Sequence, residues 1–138
     1  KGASLLARKG ESVVIGSNVT KTPTGYSLYV GQGILTEKVK VAVRNTSEWS
    51  DYVFKPTYQL RPLSEVERYV AKNGHLPGIP SASDVVEQGI DVAKMDAKLL
   101  EKIEELTLYS IQQDKTIKQQ QAQIDELKEL VKQNLKQK

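Results

Sequence analysis

From Asp91 to Lys138 the chain contains neither Gly nor Pro, and its apolar residues recur alternately by fours and threes. Leu99, Ile103, Leu106, Ser110, Gln113, Ile117, Gln120, Ile124, Leu127, Val131 and Asn134 all fall on that spacing. Such heptad spacing keeps one stripe of side chains on the same side of a slightly underwound helix, which is the seam of a left-handed coiled coil. Ile103, Ile117, Ile124 and Val131 take the a positions, and Leu99, Leu106 and Leu127 take d. A helix this long reaches about 65–70 Å at 1.5 Å per residue. No compact monomer of 138 residues needs such a rod, so the stripe predicts that chains join.

How many chains join is left open by the residues. β-branched a positions with Leu at d suit two strands. Ser110, Gln113 and Gln120 place polar layers in the middle of the seam, a device that sets register and strand number at some cost in stability. Leu100, Leu108 and Ile111 widen the apolar face near the helix start and are expected to pack onto the preceding region.

The rest of the chain is poor in core material. Apolar residues make up 38% and Phe occurs once, at Phe54, so a lone chain would bury little and association is the obvious physical remedy. The net charge is +3, with Lys1, Arg8, Lys9, Lys21, Lys38, Lys40 and Arg44 scattered through the first third. That dispersal argues against a nucleic-acid partner, which calls for a clustered basic face. Without cysteine there is no disulfide, no thiol nucleophile and no cysteine metal site. No apolar run approaches the roughly 20 residues that span a bilayer. Opening on Lys1, the chain reads as part of a longer one.

Three organisational segments are expected. Residues 1–47 form a β-rich stem: short strands are predicted at 12–16, 26–30 and 38–43, the last with Val39, Val41 and Val43 on one face. Thr22-Pro23-Thr24-Gly25 and Gly31-Gln32-Gly33 separate them as turns, and strands this sparse are most plausible when paired between chains. Residues 48–90 form a cap, beginning with the aromatic cluster Trp49, Tyr52, Phe54 and Tyr58, read as a hydrophobic plug. A helix follows, started by a Ser64-x-x-Glu67 capping box after Pro62 and stopped by Asn73-Gly74. His75 to Pro80 is an irregular link, and Ser81 with Asp84 opens a second short helix that closes at Gly89. Residues 91–138 are the coiled coil. The fold class is therefore α+β, with short strands and a small helical cap ahead of a long helix.

Chemistry finds little to stand on. His75 is the single histidine and sits in a loop setting. Glu101, Glu104 and Glu105 read as charges flanking a rod, since paired acid catalysis needs a cleft and separated pKa values. The glycines form no phosphate-binding motif. No catalytic, cofactor-binding or metal-ligating residue is assigned and no cofactor is expected.

Longer strings carry a resemblance. Gly25-Tyr26-Ser27-Leu28-Tyr29-Val30, Gly33 to Val41, Trp49 to Phe54, Tyr58 to Leu63, His75 to Ser81 and Leu99 to Tyr109 together resemble the C-terminal domain of bacterial and prophage tail-fibre-like proteins. The similarity covers roughly residues 25–112. It implies a homotrimer, with a dimer as second choice, that nucleates and closes a fibrous protein outside the cell, on its surface or on a phage-like particle. A more distant likeness is to the intramolecular chaperone domains of tailspikes and endosialidases, which cut themselves at a Ser-Asp step beside a lysine. Ser50-Asp51 and Lys55 are similar to that step, but Tyr52-Val53-Phe54-Lys55-Pro56 departs from its pattern. Self-cleavage is thus one alternative to a non-catalytic joining module. The other is a fibre tip that binds a surface receptor or glycan.

Overall fold

The computed structural model describes residues 12–43, 45 and 49–136. The basic residues Lys1, Arg8, Lys9 and Arg44, and the last two residues of the expected coil, lie outside this range. The chain divides into two compact units, residues 1–40 and 41–138.

In the first unit, β1 (Val13–Ile15) pairs with β2 (Leu28–Val30) in parallel, with Val13 opposite Leu28 and Ile15 opposite Val30. Both strands fall inside the predicted segments. They pair with each other within the chain, and residues 16–27 supply the crossover that a parallel pair requires. Gly25 turns at φ +99°, the left-handed region that its turn anticipates. Gly31 permits a close approach: Asn18 donates to its carbonyl at 2.7 Å, and a Cβ there would meet the Asn18 side-chain oxygen at 2.0 Å. Val14 and Ile15 remain about half exposed.

The predicted strand at 38–43 does not form. Its residues are irregular, and Val39 and Val41 are exposed. Alternation selects a face, but a strand also needs a neighbouring edge to take its hydrogen bonds, and β1 and β2 satisfy each other.

The second unit holds α1 (Leu63–Asn73), α2 (Ala82–Gln88) and α3 (Val92–Lys136). The Ser64-x-x-Glu67 capping box is absent. Pro62 is the cap, at φ −57° and ψ 139°, and its carbonyl accepts from the Glu65 and Val66 amides. Proline's fixed φ and missing donor suit it to the helix entry, so Ser64 falls inside the first turn instead of ahead of it. Gly74 ends α1 at φ +74°, donating to the Val70 carbonyl. The second capping box forms as expected: the Asp84 amide donates to Ser81 Oγ at 3.2 Å, and the Ser81 amide donates to the Asp84 carboxylate at 2.9 Å. The Ser81 hydroxyl, donating to the Asp84 carboxylate at 2.6 Å, and then the Ser81 amide hold the Asp84 pKa below its ordinary value. Asp91 caps α3 by accepting from the Lys94 amide at 3.0 Å. The predicted long helix is thus α3, 45 residues without a break.

Candidate functional site

Heptad letters define the faces of α3. With Leu99 and Leu106 at d and Ile103 at a, Ala97 and Glu104 take b, Lys98 and Glu105 take c, Glu101 takes f, and Lys102 and Tyr109 take g. The chain from Ser50 to Gly78 lies along those other faces. Ser50 Oγ donates to the Ala97 carbonyl, Tyr52 to the Glu101 carboxylate and Tyr58 to the Glu105 carboxylate. Tyr109 donates to the Arg61 carbonyl at 2.5 Å, and Lys98 donates to the Gly78 carbonyl at 2.7 Å. Every one of these bonds uses b, c, f or g, and none uses a or d.

The seam is consequently bare. Leu99, Ile103, Leu106, Ile117, Ile124, Leu127 and Val131 are each between 46% and 63% exposed, and the polar seam residues Ser110, Gln113 and Gln120 are exposed as well. Ser110 turns its hydroxyl back onto the Leu106 carbonyl at 2.9 Å. Leu100 and Leu108 are half-buried, in line with packing on the preceding region, whereas Ile111 stays 47% exposed.

The small core beneath the cap differs from the predicted plug. Its buried residues are Val53, 1% exposed, and Ser50, 2% exposed, joined by Ala97. Successive turns, closed by the Val53, Lys55 and Tyr58 amides donating three residues back, press Val53 inward. Trp49, Tyr52 and Phe54 remain exposed and only Tyr58 is half-buried. The tyrosines act through their hydroxyls, with the Tyr52 and Tyr58 rings 5.9 Å apart above α3. Hydrogen bonding to Glu101, reinforced by burial, pushes the Tyr52 phenol up to about 12. Burial first, then the bond to Glu105, raises Tyr58 further.

The glutamates are therefore more than solvated flanks. Burial works against the charge on Glu101, but hydrogen bonds from Lys102 and Tyr52 outweigh it and lower its pKa. Lys102 bridges Glu101 at 2.7 Å and Glu105 at 2.8 Å; burial opposes its charge, yet these two partners raise its pKa. Glu104 is buried, and its Oε2 has no hydrogen-bond partner. Burial raises its pKa, helped by the nearby Asp51 and Glu101 charges. A b position is ordinarily solvated, so only the fold of residues 50–53 reveals this burial.

The residues considered for chemistry are engaged structurally. The Ser50 hydroxyl proton points to a backbone carbonyl rather than to a base. His75 is half-buried and meets Tyr69 edge-on at 5.6 Å. No helix among the described residues is long and apolar enough to cross a membrane. Comparison with protein-family models, curated proteins and solved structures finds nothing that matches this chain.

Proposed function

We propose that the chain is a non-catalytic homotrimerisation module that nucleates and closes a fibrous protein, tail-fibre-like or on a cell surface. The observation that carries this reading is the bare a/d stripe on a 45-residue helix whose other faces carry the cap. Covering the exposed half of a large aliphatic side chain contributes about 1 kcal/mol, so the seven apolar seam residues favour association by roughly 5–10 kcal/mol per chain. A dimer would cover a and d but leave the exposed apolar flanks Leu130 and Leu135, at g and e, largely in water. A third helix covers them, which favours three strands over the two that the a/d identities suit. The coil supplies local contacts early, ahead of slower non-local pairing in the fibre it joins.

Sedimentation velocity at micromolar concentration tests the proposal. The expected result is three times the single-chain mass. Twice that mass would remove the strand number, and the single-chain mass would remove the reading.

A second reading, a receptor- or glycan-binding tip, draws on the exposure of Phe54, 55%, and Trp49, 39%. Glycan-array binding lost on Phe54→Ala would favour it, and an empty array would remove it.

A further inference from the structure

We infer that the cap of each copy clasps the long helix of its neighbour, in a parallel and in-register assembly. The inference rests on the oligomeric reading above and adds to it an orientation and a second contact surface. It begins from an unfilled groove of about 600 Å³ between α1, the 76–78 link and α3. Leu63, Val66 and Leu76 line its cap side; Leu99, Ile103 and Leu106 of the seam line the other. Because seam residues form one wall, whatever covers the seam also faces the groove. No residue of α1 is fully buried, and Leu63 at 48% and Val70 at 37% exposure are left uncovered.

The groove lies on the g and c side of α3, as Tyr109, Lys102 and Glu105 in its wall show. The opposite flank, e and b, carries Thr107 and the exposed Ile111. In a parallel coil the g flank of one helix faces the e flank of the next. Each groove therefore meets a neighbour's Thr107–Ile111 ridge at matching height, and the arrangement closes on itself around the axis. Charge agrees with shape. Arg61, in the groove wall, makes no ion pair among the described residues, and Asp114 at e of the neighbour, paired in its own chain with Lys118 at 2.7 Å, would gain a second cation there.

The seam itself selects the parallel orientation. In parallel register Ser110, Gln113 and Gln120 each meet their own copies, so polar layers face polar layers. The antiparallel register that best matches apolar residues pairs Leu106 with Ile124 and Ile103 with Leu127. It also sets Gln113 against Ile117, which leaves an amide without a partner.

Cysteine crosslinking tests this on a chain that has no cysteine of its own. Leu63→Cys chains are mixed with Ile111→Cys chains, reassembled, and treated with a short bismaleimide. The expected product has twice the chain mass, in several-fold excess over a Leu63→Cys and Lys115→Cys mixture, and Leu127→Cys alone also links to itself. An oligomer in which Leu127→Cys self-links but Leu63 and Ile111 do not would overturn the clasp and leave the association standing. Leu63→Cys linking to Leu130→Cys would show antiparallel helices and overturn it too. A single-chain mass by sedimentation ends both readings.

Discussion

Glu104 is the residue whose environment most contradicts its type. A carboxylate that is enclosed, short of a partner and near Asp51 and Glu101 is harder to ionise than a solvated one. Its folded pKa is raised, so it costs nothing while protonated and becomes a burden as pH rises through the carboxylate range. Glu101 has the opposite sign: its lowered pKa adds stability above the ordinary carboxylate value and loses it in acid. Comparing Glu104→Gln with wild type cancels the second contribution. The urea midpoint of the variant should match or barely exceed wild type at pH 4 and pull ahead by neutral pH, by about 1–2 kcal/mol, the usual cost of an unsatisfied buried group. A constant margin across that range would show that Glu104 ionises freely. The tyrosine bonds beside it, each worth on the order of 1.5–3 kcal/mol with a charged acceptor, hold the cap against α3 whatever the state of Glu104.

At the scale of the element, α3 is held differently along its length. Its first part carries the cap. Beyond Ile117 its side chains are exposed, with ion pairs such as Lys118–Asp114 at 2.7 Å and Lys132–Glu129 at 2.6 Å. Exposed pairs of this kind contribute only a few tenths of a kcal/mol each, too little to hold an isolated helix of this length. In the proposed assembly the distal half therefore depends on the seam. Ile124→Asp places a charge in every layer partner at once and should cost roughly 2–5 kcal/mol per site, with loss of oligomer and of much of the helical circular dichroism. Lys118→Asp, on the solvated b position, should shift the melting temperature by no more than a few degrees, since it replaces one surface pair with a mild like-charge contact to Asp114. Equal tolerance at the two positions would mean that the stripe is not a seam. Among the short elements, α1 shows how one residue moves a boundary: Pro62 displaces the cap expected at Ser64, whereas Ser81, with no proline beside α2, caps as its sequence indicates.

For the whole molecule, the proposed assembly makes stability and association one quantity. Few of the described residues are buried, with Val53, Ala97 and Pro77 the apolar ones, and so small a core does not sustain a rod of about 68 Å alone. Mass action then makes the unfolding midpoint depend on concentration. Thermal melts of the wild type should move upward by several degrees from 1 to 100 μM chain, and Ile124→Asp should abolish that dependence. A midpoint independent of concentration in the wild type would show that each chain folds by itself.

The parts legible in the sequence are those set by neighbours along the chain. Spacing by fours and threes without Gly or Pro defines α3, positive φ at Gly25 and Gly74 follows from the turn and helix end they occupy, and the Ser81–Asp84 box needs only four consecutive residues. The exposed stripe at Leu99, Ile103 and Ile124 is likewise a property of helical periodicity. What the tertiary structure decided involves residues distant in sequence. Residues 38–43 alternate as a strand should but find no edge, and the aromatics from Trp49 to Tyr58 yield the core to Val53. Glu104 is buried near Asp51, from a turn far earlier in the chain, and the cap lies on the b, c, f and g faces, beside the seam rather than over it. Local pattern determines which side of a helix is apolar; only the contacts that form determine which side is left to face another chain.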